Sequence, residues 1–190
     1  MHQTQQELFK TEMDNLALYG YGVKGFMLSM IETAIRITGG NLSAEGTDRI
    51  LEIGKELLER PIEILPHVET VLEALSTKYR LVVATKGDLL DQERKLKKSG
   101  LAKYFHHIEI MSDKKPEDYQ KLIRHLDIAP EQFFMIGNSL KSDILPVLEL
   151  GGHGVHIPFH TTWAHEMVSH PVEHVNFREI EQLDEVLSFL

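Results

Sequence analysis

"FFMIGNSLKSDI", residues 133–144, holds an apolar run that stops at Gly137, turns polar at Asn138, Ser139 and Lys141, and sets an acid at Asp143. A short apolar run closed by Gly and an Asn/Ser pair reads as a buried strand leading into a helix N-terminus. Outward from it the same pattern recurs. "RLVVATKGD" (80–88) is a β-branched run ending in Thr85, Lys86, Gly87 and Asp88, and "HIEIMSD" (107–113) leads into Lys114, Lys115 and Pro116. "HGVHIP" (153–158) is a fourth strand. Between them the spacing predicts helices over 67–79, 89–101, 116–126 and 140–152, and a last one over "REIEQLDEVLSFL" (178–190). Strands separated by helices imply right-handed crossovers and a three-layer, doubly wound parallel α/β sheet. Ligands of such sheets sit beyond the carboxyl ends of the strands.

The first sixty residues differ. Phe26, Met27, Met30, Ile31, Ala34 and Ile35 fall at helical spacing, as do Ile50, Ile53, Leu57 and Leu58. Breaks come at "YGYG" (19–22) and "TGGNLS" (38–43), and Pro61 and Pro66 punctuate the end. The expected organisation is a small N-terminal helical cap over 1–62 and an α/β core over 63–190. The net charge of −9 argues against a nucleic-acid or anionic-membrane surface. The absence of cysteine excludes disulfides, thiolate metal sites and cysteine nucleophiles. No stretch approaches the roughly 20 apolar residues of a membrane span, and the N-terminus has no apolar signal core, so a cytoplasmic protein is expected. A homo-oligomer is left open.

Each strand end has a chemical reading and a bland one. Thr85, Lys86 and Gly87 offer a hydroxyl and backbone N–H groups to an anion, or Thr85 simply caps the next helix. Lys114 and Lys115 stand before a proline that starts a helix, where a lysine reaches a phosphate as a point charge. Asn138 and Asp143 offer oxygen donors suited to a hard cation such as Mg²⁺; alternatively Asn138 or Ser139 is an N-cap and Asp143 a charge favoured by the helix dipole.

Three such signals in order resemble the haloacid dehalogenase (HAD) superfamily of hydrolases. "VVATKGD" resembles its second motif, "DKKPEDY" its third, and "FFMIGNSLKSDILPVLELGG" its fourth. The resemblance implies a Rossmannoid fold and a Mg²⁺-dependent phosphatase of a small phosphorylated metabolite. Thr85 and Lys115 would be the catalytic pair, with Lys114 the second match. Thr85, Lys86, Gly87 and Lys115 would hold phosphate, and Asn138 and Asp143 the metal.

There are two departures. Asn138 stands where the family usually has Asp, and the family's first motif, DxDx[TV], which supplies the nucleophile and the acid/base, is absent from these 190 residues. The expectation is therefore a phosphatase only in a complete form, with this chain alone inactive. The alternative is a non-catalytic HAD-like module binding an anion or a partner protein. The strand that carries the first motif belongs between "LVVAT" and "FFMIG", and without it two strand edges lose their neighbour. The flanking strands are then expected to close up, or a partner's segment or a further piece of chain to take its place. Other features weigh less. "HEMVSH" (165–170) spaces its histidines five apart, too far round a helix for a zinc-protease motif. His160, Thr161 and Trp163 are candidates for the site's border, with exposed loop residues as the plainer reading. Tyr19 and Tyr21 are candidate substrate contacts from the cap.

Overall fold

In the computed structural model, which describes residues 2–111, 113–160, 166, 168 and 170–190, the helical periodicity of the N-terminal part becomes α1 (His2–Tyr19), α2 (Val23–Ile37) and α3 (Ala44–Glu59). Thr161, Trp163 and His165, singled out above, lie outside the described residues. Ser43 caps α3, its hydroxyl oxygen accepting from the Gly46 N–H at 3.1 Å. Tyr19 donates to Glu32 at 2.7 Å across the α1–α2 pair.

The chain divides into two compact units, one of residues 1–63 with 86–100, the other of 64–85 with 101–190. The sequence placed all of 63–190 together. Residues 86–100 group with the N-terminal helices instead, and polar and ring contacts link the two. Both carboxylate oxygens of Asp88 accept from the Lys24 ammonium at 3.0 Å, while the Lys86 ammonium lies 4.2 Å from the centre of the Tyr21 ring. Asp88 also caps α5 (Leu89–Ser99), accepting from the Asp91 N–H at 3.2 Å.

The second unit is α/β. Its elements are α4 (Val68–Ser76), β1 (Val82–Lys86), β2 (His107–Met111), α6 (Pro116–Leu126), β3 (Phe134–Gly137), α7 (Leu145–Glu149), β4 (His153–His156) and β5 (Phe177–Glu179). β3, β4 and β5 run parallel, Met135 opposite Gly154 and Val155 opposite Arg178. β5 corrects the sequence reading, which placed Arg178 and Glu179 at the start of a helix. The backbone of β4 captures this segment, the Gly154 N–H donating to the Asn176 carbonyl and the Ile180 N–H to the His156 carbonyl, both at 3.0 Å. Only a short 3₁₀ helix, Leu183–Ser188, remains of the helix expected there.

Among the described residues the strands form two sheets, β1–β2 and β3–β4–β5, rather than one. The flanking strands have not closed up. Yet β1 and β3 lie in one layer, because alternate residues of each face the same two cores. Val82 and Ala84 of β1 and Met135 of β3 pack with Tyr119, Leu122 and Leu126 of α6. Leu81 and Ile136 pack on the other face with Val71 and Leu75 of α4, Ile180 and Val186. This period-2 partition is what strands between helical layers require.

Tyr119 is wholly buried at the centre of the α6 core, and its hydroxyl donates to the Ser142 carbonyl at 3.0 Å. Burial, with the charges of Asp143 and Glu166 adding, pushes this phenol well above the usual tyrosine range. The folded chain therefore keeps a proton that the unfolded chain releases near pH 10, so stability is whole below about pH 10 and falls above it. Urea unfolding at pH 9, 10 and 11 is expected to show Tyr119→Phe less stable than wild type at pH 9, by about 1 kcal/mol for the lost hydrogen bond. Its decline with pH should be shallower by up to about 1.4 kcal/mol per pH unit; equal slopes would count against a retained Tyr119 proton.

Candidate active site

The sequence points to the strand ends, and there the chain after β3 does something unusual. Ser139 begins a π-type turn, Leu140–Ile144, before α7, and the Asp143 and Ile144 N–H groups both donate to the Ser139 carbonyl, at 2.8 and 3.2 Å. A π-turn inside a helix rotates its side chains relative to a regular helical start and is frequent at functional sites. Here it brings the Asp143 carboxylate back against the end of β3. Its Oδ2 accepts from the Ser139 N–H at 3.0 Å. A Cβ on Gly137 would sit 2.3 Å from that same oxygen. Gly137 is thus required for space beside the carboxylate.

Asp143 is buried, and its partner is Lys114. The Lys114 ammonium donates to Asp143 Oδ1 at 2.6 Å, the two side chains only 10% and 7% exposed. The better match by sequence was Lys115, but it is Lys114 that meets Asp143. Lys115 is 66% exposed, pairs with Asp113 at 3.2 Å, and that ion pair raises its pKa. The physical reason is local. Lys115 is the extended N-cap residue before Pro116, and adjacent residues of an extended segment point to opposite sides, so only one of the two lysines faces inward.

The other predicted residues are placed as follows. Thr85 lies at the carboxyl end of β1. Asp88, not Thr85, caps the helix after that strand, so the plainer reading of Thr85 does not hold. Gly87 has φ +134°, a backbone that favours glycine. Lys86 engages Tyr21, as described. Asn138 is exposed at the side chain, and its carbonyl oxygen lies 3.2 Å from His156 Nε2, whose other ring nitrogen is 2.8 Å from Glu179. Ser139, not Asn138, is the N-cap, its hydroxyl oxygen accepting from the Ser142 N–H at 3.0 Å. Glu166 was missed. Its carboxylate accepts from the Ser139 and Ser142 hydroxyls, both at 2.5 Å, tying residue 166 to the π-turn. Its only sequence signal lay inside "HEMVSH", a motif that pointed to different chemistry.

Do these residues suit Mg²⁺? Asp143 is the one carboxylate of the expected pair, and both its oxygens are already engaged, one by an ammonium. Asn138 adds at most a neutral oxygen. Among the described residues no three His, Asp or Glu side chains are placed to hold a metal. The donors present do not make a complete cation site.

Residues 3–151 match the family of haloacid dehalogenase-like hydrolases. The chain belongs to that family. A haloacid dehalogenase-like hydrolase from Xanthomonas campestris is 41% identical, with a TM-score of 0.82 over 93% of this chain and 71% of its own. Two more distant structures share the fold. A 2-haloacid dehalogenase from Pseudomonas syringae is 18% identical with a TM-score of 0.60, the match covering 96% of this chain and 80% of that one. A HAD phosphatase from Thermococcus onnurineus is 21% identical with a TM-score of 0.59, covering 97% and 88%. No curated protein matches the chain. No described helix is long and apolar enough to cross a membrane.

Removing one member of a buried ion pair leaves the other uncompensated, at a cost of about 3–5 kcal/mol. Lys114→Met is therefore expected to lower the stability measured by urea unfolding by that amount, and Lys115→Met to change it by no more than about 0.5 kcal/mol. Replacing both Lys114 by Met and Asp143 by Leu should recover most of the loss, because no unpaired charge remains.

Proposed function

We propose that this chain carries part of a HAD-type site that hydrolyses a small phosphorylated metabolite in its complete form, with Mg²⁺ as cofactor of that form. The observation that carries the reading is the buried Lys114–Asp143 pair, an ammonium held at the strand-end rim by a carboxylate that the π-turn fixes. Poised there, Lys114 would neutralise phosphoryl oxygens as charge develops, and the Thr85 hydroxyl would donate to the same group. Lys114 takes the role that the sequence gave to Lys115. Mg²⁺ needs carboxylates beyond those the described residues bring together, so no step is assigned to it. The nucleophile likewise lies outside this set.

A second reading is a non-catalytic module that binds an anion or a partner protein. It is favoured by one specific observation: no Asp-x-Asp pair occurs in the 190 residues. Two preparations separate the readings, assayed on p-nitrophenyl phosphate with Mg²⁺. Residues 1–190 alone are expected to turn over no faster than a Thr85→Ala, Asp143→Asn control. A chain lengthened by the reading frame upstream of Met1, if that frame encodes an apolar run with Asp-x-Asp, is expected to hydrolyse the ester. In it Lys114→Met should lower kcat by roughly 10²-fold or more, while Lys115→Met leaves it close to unchanged. A stop codon directly upstream, or a lengthened chain without turnover, leaves the second reading standing. Release of halide from 2-chloropropionate in place of phosphate ester cleavage would overturn the phosphatase assignment.

A further inference from the structure

Away from the strand-end rim, "FHHIEI" (105–110) brings two imidazoles together at the start of β2. Adjacent residues of a regular strand point to opposite faces. His106 stands in the bend before β2, its N–H donating to the Leu81 carbonyl at 2.8 Å, and there the two rings turn towards one another. They meet edge to face, 5.1 Å between centres, with His106 Nδ1 only 2.9 Å from His107 Nδ1. His107 Nε2 is buried, makes no hydrogen bond among the described residues and lies 3.5 Å from the Glu109 carboxylate. Glu109 follows His107 by two residues in β2, the spacing that puts both on one face of a strand. A carboxylate on the Nε2 side favours the tautomer with its proton there, and the Nδ1 lone pair is then left facing His106. His125, in the last turn of α6, sets its ring 5.6 Å from that of His107 and limits how far it can rotate.

We propose that His106 and His107 form a two-nitrogen site for a divalent copper- or nickel-type cation, with Glu109 as the carboxylate that orients His107. Two ring nitrogens 2.9 Å apart, each at the roughly 2.0–2.1 Å usual for imidazole, subtend about 90° at a shared ion. That angle suits the square-planar or octahedral preference of Cu²⁺ and Ni²⁺ better than a tetrahedral Zn²⁺ site. Imidazole donors also disfavour Mg²⁺ and Ca²⁺, which take oxygen. Of the first-row divalent ions, Cu²⁺ is held most tightly by a given nitrogen set. His106 is exposed, so the ion has a path in from solvent, and water fills the positions that two protein nitrogens leave open. The site stands at the opposite end of β2 from Lys114 and shares no residue with the Lys114–Asp143 pair, so it does not depend on the hydrolase reading.

The test titrates copper(II) chloride into residues 1–190 and follows the chain by NMR. The paramagnetic ion broadens the amides close to it, and His106–Glu109 are expected to lose their signals at substoichiometric metal, ahead of the rest of the chain. By calorimetry, His106→Ala and His107→Ala should each weaken binding at least tenfold and Glu109→Gln by about tenfold. His170→Ala, which removes an exposed histidine outside the set, should leave the affinity unchanged. Because His106 is exposed, its alanine variant is expected to fold as wild type does, and circular dichroism checks this. Three results would overturn the proposal: no copper binding, broadening that begins at other histidines, or unchanged affinity in a folded His106→Ala chain.

Discussion

The site depends on one buried contact, the ammonium of Lys114 against the carboxylate of Asp143. Neither charge would tolerate its position alone, because desolvation of an unpaired ion costs more than the local fold can spare. The pair joins two exits from the sheet, the segment between β2 and α6 and the turn between β3 and α7. Around it the fold leaves little freedom. Gly137 has no side chain because the carboxylate occupies that space, the Ser139 N–H holds the second oxygen, and Tyr119 of α6 holds the Ser142 carbonyl from beneath. Glu166 adds a carboxylate that fixes both serine hydroxyls. The pair is thus part of the packing between α6 and the π-turn as much as a chemical group.

Much of this was legible in the sequence, and the failures have distinct causes. The α6 helix was read to the residue because Pro116 starts it and its apolar face is strongly periodic. β1 and β3 were clear from continuous apolar runs, with ends a residue or two out. The last helix failed because Glu and Leu, good helix formers, supply six of the thirteen residues 178–190, while β4 offered a strand edge that composition does not reveal. Helix propensity lost to tertiary pairing. Which lysine meets Asp143 was illegible for a subtler reason. "KKP" tells that one of two neighbours faces inward, but the choice is set by how the strand before it leaves the sheet. Glu166 was illegible because its partners are more than twenty residues away.

The helical part shows the same limit. Three helices were expected and three formed, yet the boundary moved, since Lys24 and Tyr21 recruit the turn at 86–88 through charge and ring contacts. The Lys24 hydrogen bond, first among the causes, holds the Asp88 carboxyl below the usual aspartate range. A division drawn from proline punctuation follows the chain, whereas compact units follow contacts.

The geometry of the buried Lys114–Asp143 contact is set by two segments. Lys114 stands just before α6, and Asp143 is held by the π-turn after β3, through the Ser139 N–H and the space left beside Gly137. Both segments rest on α6, where Tyr119 donates to the Ser142 carbonyl. β1 pairs with β2 and contributes none of these contacts, so the position of the pair depends on how α6 and the turn pack together and not on the pairing of β1.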